Sequence, residues 1–581
     1  MARGWDRAAK GVSSARRGAV LAVLCVSLLV VNLDSTILNV ALPTIVRDLH
    51  ATSSQLQWVV DAYAVVFAGL LLTLGGLGDR IGRKRVFSGG LALFALGSAA
   101  AAFSPSPDRL IVARAFMGIG AAAIMPSTLS ILTNVFVEES ARAKAIGIWS
   151  GTTGLGVALG PITGGWLLAH YFWGSVFLVN VPIALTGLLA SAWLVPESKN
   201  PSPTRLDPTG SVLSTLGLGL LLWGIIEAPV RTWTSGPVVL ALCAGAVVLG
   251  IFVFVERRSD HPMLDVAFFS SRRFTAAMSA MALVLFSLSG LLFLLTQWLQ
   301  FSLGYSPFAT GLRIGPIALI LMVAAPLSAL AARRLGTKPP VALGMAGIAA
   351  GLALLSRTSA GGGYAGAVPA FLLLGIGAGL AFAPSTESVM GSLPRARAGI
   401  GSATNSAALQ VGGALGVGVL GSLLNSRYQS RLSPVLVEHR VPPSVVHTVQ
   451  GSLGAALALG QHVGGSEGAA LQALARRAFL SGMDLAVLVG AMVALVGVVI
   501  VVTLLPNRPA SAPAASRTLS AGRELRRRDV GAGTVTFSSG SRWPRQPGRR
   551  DEASHRARPA RRLARRSAPP RARGTPPAGR W

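Results

Sequence analysis

The stretch LGGLGDRIGRKRVF, residues 74–87, places five charged residues between two long apolar segments. Gly75, Gly78 and Gly82 permit a tight turn and a close approach of neighbouring helices. Asp79 is the one acidic residue of the stretch, and it can pair with the bases around it or cap a neighbouring helix. The bases are Arg80, Arg83, Lys84 and Arg85. Lysine and arginine are enriched in cytoplasmic loops of membrane proteins, so the stretch is typical of a short link between two membrane-spanning helices.

The whole chain has the composition of a polytopic membrane protein. Of its 581 residues, 51% are hydrophobic and only 13% are charged, whereas soluble domains carry about 25% charged residues. Apolar windows of about 20 residues, the length that crosses a bilayer as a helix, recur fourteen times. They lie near 18–42, 57–77, 86–104, 109–131, 144–168, 174–195, 209–228, 237–256, 274–300, 310–332, 340–357, 364–390, 399–424 and 481–505. We therefore expect an all-α membrane protein with 14 transmembrane helices.

Weak internal repeats indicate two related halves. ALAARRLGTK echoes the stretch at 74–87, and RAKAIG resembles RARAGIG; each of the latter two precedes a glycine-rich segment. Such repeats are typical of secondary transporters, whose substrate site lies between the halves near the bilayer midplane. The sequence predicts six-helix bundles at 18–195 and 274–505 and two inserted helices at 209–256. Within the second bundle, 425–480 is expected to be a long external loop with short amphipathic or re-entrant pieces.

The basic residues of the short loops predict the orientation. With the amino-terminal segment 1–17 inside, 22 lysines and arginines face the cytoplasm, against only Arg47, Arg109, Arg231 and Arg357 outside. By the positive-inside rule, both termini are cytoplasmic. The chain is expected in the plasma membrane of a bacterium, because its high Ala, Gly and Arg usage is typical of a high-GC genome.

The segment 507–581 carries much of the net charge of +30. It contains 19 arginines against four acidic residues, a net charge of +15. Its Arg, Pro, Ser and Ala composition cannot bury a core, so a disordered cytoplasmic tail is expected. Nucleic-acid binding is not expected, because no pattern of base-stacking aromatic residues accompanies the arginines.

Enzyme signatures are absent from the sequence. No Gly-Lys-Ser/Thr phosphate loop is present, so ATP is not the expected energy source. The seven histidines and two cysteines show no metal-binding spacing, and no cofactor or metal is expected. Transport would then use an ion gradient, and acidic residues within the spans suit protons best.

The stretch GGLGDRIGRKR closely resembles the loop signature of the major facilitator superfamily. Four further stretches are similar to its fourteen-span drug:proton antiporter branch, which contains multidrug efflux permeases. They are LDSTILNVALP, QWVVDAYAVVFAG, GVALGPITGGW and LQFSLGYSPFATGLRIGP. The resemblance covers roughly residues 18–505.

The resemblance implies two motifs. The loop would be a conformational latch, whereas its composition alone favours a simple positive-inside anchor; the latch residues are Gly75, Asp79, Arg80, Gly82 and Arg83. The fifth span would carry the antiporter motif, formed by Gly156, Gly160, Pro161, Gly164 and Gly165. Three of these glycines lie four residues apart on one helical face, so another helix can approach closely there, and the proline can bend the helix.

Ionisable residues inside the spans are costly and are functional candidates by default. Asp34 lies about 13 Å of helix from the external end and Arg114 about 9 Å from it, at 1.5 Å per residue. Asp34 is expected either to couple protons or bind cations, or to form a static ion pair with Arg114. Asp61 lies nearer the interface, where coupling and a structural role are equally favoured. Glu387 faces either the central cavity or solvent at a helix end.

Three functions remain open. The first is a proton-coupled antiporter that exports amphipathic, cationic drugs or natural products by alternating access, with the substrate, protons and the lipid bilayer as its partners. The second is an exporter of one endogenous metabolite. The third is a membrane sensor or scaffold that acts through the basic tail. Deletion of the tail separates the third from the other two, because an exporter would keep its resistance phenotype.

Overall fold

The computed structural model describes residues 14–199, 206–259, 262, 264, 266–358, 363–392, 398–438 and 443–507. The segment 1–13 and nearly all of the predicted tail at 507–581 therefore lie outside the described residues. Fourteen described helices are long and apolar enough to cross a membrane, which confirms the predicted number of spans and the all-α fold.

The helices are numbered α1 to α17 in chain order. The amino-terminal half contains α1 Ser14–Leu49, α2 Ser53–Ile81, α3 Arg83–Ala102, α4 Pro107–Val135, α5 Glu139–His170, the short α6 Ser175–Leu178 and α7 Asn180–Leu194. The inserted helices are α8 Pro208–Arg231 and α9 Gly236–Arg258. The carboxy-terminal half contains α10 Arg272–Gln297 with a π-helical turn at Trp298–Ser302, α11 Pro307–Leu335, α12 Lys338–Thr358, α13 Gly363–Gly391, α14 Ala398–Glu438, α15 Pro443–Gly451, α16 Leu453–Val463 and α17 Gly465–Leu504.

Side-chain caps begin several spans where the chain turns back into the bilayer. Thr52 and Gln55 form a capping box at the start of α2. Ser106 and Ser306 accept from the backbone N–H groups of Arg109 and Ala309, and a proline follows each serine at the first helical position. Proline is favoured there because its missing N–H would have no helical partner. These caps set the helix starts on the side of the molecule opposite the loop at 74–87, which we call the opposite end; the side carrying that loop is the basic end.

The two halves pack against each other chiefly through two helix pairs, α2 with α14 and α5 with α11, which we call the two seams. Several contacts join them at the opposite end. The Gln300 side chain donates to the carbonyl of Val40 over 2.9 Å, and the Ser53 hydroxyl donates to the carbonyl of Gly451 over 3.0 Å. Towards the basic end α5 is open, because a Cβ atom added at Gly151 or Gly154 would meet nothing within 4 Å.

The segment 425–480 differs from the expected loop. It is largely helical: α14 continues to Glu438, α17 already begins at Gly465, and α15 and α16 lie between them. The predicted short piece at GAALQALARRAFL is part of α17. Alanine, leucine and arginine are strong helix formers, so α17 extends past the end of its apolar window.

The inserted helix α8 does not stand apart from the two bundles. It packs on α2 of the first half and on α14 of the second, as well as on α9. Leu222 and Ile226 of α8 are fully buried in a cluster with Ala64 and Val65 of α2 and Ala414 of α14. The helix α8 therefore covers the seam between α2 and α14.

Candidate functional site

Asp34 and Arg114 form a buried ion pair between α1 and α4. The guanidinium Nη1 lies 2.5 Å from Asp34 Oδ2, and the side chains are 0% and 1% exposed. Both charges are thus removed from water, which is tolerated in a protein when the pair is also hydrogen-bonded. A static ion pair with Arg114 is one of the two alternatives that the sequence left open for Asp34, and it requires this arrangement.

Other groups complete the shell of Arg114. Its Nε donates to the carbonyl of Val59 over 3.0 Å, and its guanidinium carbon lies 4.4 Å from the centre of the Tyr63 ring. Nη1 also lies 3.9 Å from the sulfur of Met117. A cation over an aromatic face is stabilised by the ring quadrupole, so α2 holds Arg114 by both its backbone and Tyr63.

The second oxygen of Asp34 is held from the far side of the bundle. Asn180 Nδ2 donates to Asp34 Oδ1 over 2.9 Å and to Ser98 Oγ over 3.1 Å. The Ser98 hydroxyl in turn donates to the carbonyl of Phe177 over 2.8 Å. The network therefore reaches α1, α2, α3, α4 and α7, and α6 as well, so nearly the whole first bundle is tied to one carboxylate.

Asp61 has a very different environment. It is fully buried, and neither carboxylate oxygen has a hydrogen-bond partner among the described residues. It lies on the face of α2 that packs against the second bundle, and a Cβ atom added at Gly418 of α14 would lie 3.5 Å from Asp61 Oδ2. The acid is thus placed at the seam between the bundles rather than in the network of Asp34.

Gln57 lies one turn before Asp61 on the same face of α2. Its amide is also fully buried, and neither its nitrogen nor its oxygen has a partner in the described part of the chain. The backbone of Gly421 on α14 lies against this amide, with only 2.7 Å between Gln57 Nε2 and a Cβ atom added at that glycine. The seam therefore encloses two polar side chains whose hydrogen-bonding capacity is unused.

The helix α8 also contacts this seam, through two of its backbone carbonyls. Pro229 has no N–H, so the carbonyl of Ile225 lacks its usual donor in the helix. Ser422 of α14 donates to that carbonyl over 2.6 Å, and Ser54 of α2 donates to the carbonyl of Ile226 over 3.5 Å. One turn of α8 thus contacts both bundles next to Asp61.

The glycines of the fifth span pack closely on α1. Cβ atoms added at Gly156, Gly160 and Gly164 would collide with Asn32, Thr36 and Ile37 respectively. The predicted close approach therefore involves α1, the helix that carries Asp34 one turn away.

The same segment of α5 also forms the second seam. The carbonyl of Pro161 occupies the space that a Cβ atom would need at Gly311 of α11, and a Cβ atom at Gly165 would meet Phe308 of α11 at 2.7 Å. This segment of α5 therefore packs on α1 with one face and on α11 of the other bundle with the adjacent face.

The loop at 74–87 is braced within the first bundle. Asp79 pairs with Arg83 over 2.8 Å, and Arg83 donates from Nη1 to the carbonyl of Ser130. Gly82 has a φ of +126°, a conformation that glycine adopts readily. Arg80 is exposed, and Gly75 lies against Pro126 of α4.

Glu197, which lies beyond the end of α7, also contacts this loop. Its Oε1 accepts from the backbone N–H of Lys84 over 3.2 Å, and Arg85 lies 3.7 Å from its Oε2. The backbone N–H of Arg83 donates to the carbonyl of Ser198 over 2.9 Å. These contacts satisfy N–H groups at the start of α3, which otherwise lack partners.

The family model for the Major Facilitator Superfamily matches residues 24–417, a range that contains Asp34, Asp61, Arg114 and the loop at 74–87. The chain belongs to this superfamily.

Relatives within the superfamily match most of the chain. The multidrug efflux pump LfrA of Mycolicibacterium smegmatis is 36% identical over 84% of this chain and 96% of its own. The tetracenomycin C resistance and export protein of Streptomyces glaucescens is 34% identical over 82% and 89%. The methyl viologen resistance protein SmvA of Salmonella typhimurium is 32% identical over 80% and 93%.

A solved structure shares the major facilitator fold. A bacterial homologue of the human lysosomal transporter Spinster, in an inward-facing and unoccupied conformation, matches with a TM-score of 0.61 and 19% identity, over 86% of this chain and all of the other. Membership of a transporter superfamily agrees with the expectation that the chain is not an enzyme.

Glu387, the remaining sequence candidate, is exposed near the basic end of α13. It is close enough to Arg273, at the start of α10, for the two charges to interact. It is not brought together with Asp34 or Asp61. Among the described residues, no group of three or more potential metal ligands is found.

Sequence reasoning missed Gln57, Asn180 and Glu197. Gln57 carried a usable signal, because it lies four residues before Asp61 in an apolar span and so shares its helical face. Asn180 and Glu197 are distant in sequence from the groups they hold, and only the packing of α7 against α3 and α1 brings them there.

Proposed function

We propose that this major facilitator protein exports amphipathic, cationic drugs or natural products in exchange for protons. The observation that carries the proposal is Asp61, a buried carboxyl without a hydrogen-bond partner among the described residues, at the seam where the two bundles meet. Relatives named for multidrug efflux and for resistance to methyl viologen support drug export, and methyl viologen is itself an organic cation.

The basic end is cytoplasmic in this proposal, and so are both termini. The excess of basic residues in the loops of that end supports the orientation through the positive-inside rule. With this orientation the bundles are joined on the external side, and α5 is open towards the cytoplasm. The conformation is then inward-facing, ready to take up substrate from inside the cell.

Proton exchange follows from the two environments of Asp61. A carboxylate enclosed by α2, α8 and α14, with no hydrogen-bond partner in the part of the chain that the structure describes, is strongly disfavoured as an ion. Asp61 is therefore protonated while the external side is closed. Separation of α14 from α2 admits water to the seam, which allows the carboxyl to exchange its proton with the outside before the seam closes again. Closure thus requires a proton taken up from outside. Asp61 releases this proton towards the cytoplasm when a substrate cation reaches the seam from the basic end, so each cycle carries a proton inward as a substrate leaves, and the proton gradient drives the motion.

Asp34 has a second role in the proposal. Its carboxylate is paired with Arg114, and the pair lies in the first bundle beside the face where α1 meets α5. A proton or a cationic substrate that reaches Asp34 competes with Arg114 for the carboxylate. The substrate cation and the proton therefore compete with Arg114, and with each other, for the same carboxylate.

The test is efflux of ethidium, a fluorescent lipophilic cation, from cells that express the chain with and without a protonophore. The intact protein should give efflux that the protonophore abolishes, and Asp61→Asn and Asp34→Asn should each lose it at equal membrane expression. Asp108→Asn, at an exposed position near the external end, is the matched control and should retain it. Protonophore-insensitive efflux, or full activity in Asp61→Asn, would overturn the coupling scheme.

A narrower substrate range is the second candidate, favoured by the relative named for resistance to and export of tetracenomycin C. The same cells decide between the two when they are tested against a panel of unrelated cations and neutral polycyclic compounds. Resistance to a single chemical class would assign the protein to narrow export, whereas resistance to several unrelated cations would support the broad range.

A further inference from the structure

A cavity of about 600 Å³ lies between α14 and α17, away from both seams. Two arginines, Arg427 and Arg477, line it together with Asp484. The remaining lining residues are Leu480, Ser481, Leu485 and Leu488. The cavity thus has arginines at the end towards Arg477 and leucines at the end towards Leu488. The proposed transport mechanism uses none of these residues.

The depth of the cavity follows from helix lengths. Asp484 lies 20 residues before Leu504, the last residue of α17 at the basic end, which is about 30 Å at 1.5 Å per residue. The hydrocarbon core of a bilayer is also about 30 Å thick. Arg477 lies two turns further out, and Arg427 lies 29 residues beyond the start of α14, about 40 Å from the basic end. Both guanidiniums are therefore at the level of lipid headgroups, above the hydrocarbon.

An apolar stripe begins in the cavity and continues down α17. Its members are exposed and spaced alternately by three and four residues, so they lie on one face of the helix. They are Leu485, Leu488, Met492, Leu495, Val499 and Val502. An exposed apolar face of this length on a membrane-spanning helix contacts acyl chains. A lipid whose chains lie along this stripe has its headgroup at the two arginines.

The charge of the cavity selects the headgroup. Among the described lining residues, two guanidiniums against one carboxylate leave one positive charge in excess, which a phosphodiester with no balancing ammonium group neutralises. Arginine suits such a group because its planar donors match phosphate oxygens. Hydroxyls on the headgroup can donate to Asp484.

We infer that the cleft between α14 and α17 binds an anionic phospholipid of the external leaflet, with its phosphate at Arg427 and Arg477 and its chains along the stripe. This site goes beyond the proposed function, and only the choice of leaflet rests on the proposed orientation. Because α14 also forms the seam over Asp61, the lipid lies on the outer side of a helix that moves in transport.

The test uses the purified full chain in a neutral detergent, titrated with dioctanoyl-phosphatidylglycerol and followed by native mass spectrometry. Loss of a hydrogen bond to a charged group weakens binding by about tenfold or more, so Arg477→Gln and Arg427→Gln should each show at least that loss. Arg477→Lys keeps the charge but loses the planar donors, so its affinity should lie between those of the intact chain and Arg477→Gln. Arg476→Gln and Arg431→Gln remove exposed neighbouring arginines that do not line the cavity, and they should bind as the intact chain does.

Two further probes separate lipid from other sources of the same chemistry. Inorganic phosphate at equal concentration should not compete, and dioctanoyl-phosphatidylcholine should bind at least about tenfold more weakly, because its ammonium cancels the charge. Equal loss in the two control variants, equal binding of phosphatidylcholine, or competition by phosphate alone would overturn the inference. Binding is measured without transport, so a failure here leaves the export proposal intact, and a failed efflux assay leaves the lipid site intact.

Discussion

Arg114 donates to Asp34 over 2.5 Å inside the first bundle, whereas Asp61, also at 0% exposure, has no such partner in the described part of the chain. The two carboxyl groups are thus equally buried but have opposite surroundings. One is bound by a guanidinium and an amide, and the other is enclosed by apolar side chains and glycine backbone. This contrast makes different predictions for the same chemical change at the two positions.

Removal of one partner from the Asp34–Arg114 pair should destabilise the protein strongly. Arg114→Met leaves a buried carboxylate without its cation, and such a change typically costs about 3–5 kcal/mol. The double variant Asp34→Asn/Arg114→Met removes both charges and should unfold at a higher temperature than Arg114→Met alone. Thermal unfolding of the purified variants in detergent measures the order of their unfolding temperatures. A double variant less stable than both single variants would show that the two side chains do not act as a pair.

Asp61→Asn should leave the unfolding temperature nearly unchanged. Asparagine has the shape of a protonated carboxyl and carries no charge, so it replaces Asp61 in its proposed neutral form at little cost. Asp34→Asn removes an ion from a hydrogen-bonded pair and should unfold at a clearly lower temperature. Both variants are measured at pH 7 in the same detergent. A large loss of stability in Asp61→Asn would mean that the carboxylate is ionised in the closed seam.

The fourteen spans could be predicted because each needs only an apolar run of the right length, a property that is local in the sequence. Helix extensions beyond the bilayer could not be predicted in this way. The first sixteen residues of α17, from Gly465, include charged residues and were interpreted as loop, although their helix propensity is high. Hydropathy measures where a helix is buried in lipid and does not measure where it ends.

The pairing of Asp34 with Arg114 was one of two expectations because both residues have similar depths in one bundle. The enclosure of Asp61 could not be predicted, since it depends on where the inserted helix α8 packs. Nothing in the apolar pattern of α8 says that its turn at Ile225 and Ile226 contacts both bundles. Long-range packing of this kind is a property of the assembled fold.

Substitution of Gly311 should weaken the closed seam between α5 and α11. A Cβ atom in Gly311→Ala would overlap the carbonyl of Pro161, and overpacking of this type costs about 1–3 kcal/mol. The opposite end, external in the proposed orientation, should then open more often, by at least about fivefold. Maleimide labelling of a Ser53→Cys reporter from outside the cell measures this. Gly151→Ala, at an open position on α5, is the control, and faster labelling in this control would rule out the seam as the cause.

Loss of Glu197 should loosen the loop at 74–87. Glu197→Ala removes the acceptor for the backbone N–H of Lys84, and loss of a cap at a helix start costs about 0.5–2 kcal/mol. Trypsin applied to inside-out vesicles should cleave at the basic residues of this loop faster than in the intact chain. Glu138→Ala removes an exposed acid on another loop of the same side and should not change the cleavage rate. An unchanged rate in Glu197→Ala would show that Asp79 and Arg83 hold the loop without it.

A reversible cross-link between the bundles should stop transport. Ser53 on α2 and Gly451 on α15 are in hydrogen-bond contact at the opposite end, which is external in the proposed orientation, so Ser53→Cys and Gly451→Cys can be oxidised only while this end is closed. The pair is made in a background with Cys25→Ser and Cys243→Ser, because these are the two native cysteines. Oxidation should abolish ethidium efflux, and a reductant should restore it.

The control for the cross-link lies within one bundle. The hydroxyls of Ser88 on α3 and Ser191 on α7 are 2.8 Å apart, and these helices belong to the same half of the protein. A disulfide between Ser88→Cys and Ser191→Cys should therefore leave efflux intact, since the two halves can still separate. If both cross-links abolish efflux, motion within the first bundle is also required and rigid-body alternation is excluded. If neither does, the external contacts do not have to open during export, and the proposed coupling of Asp61 to their separation fails.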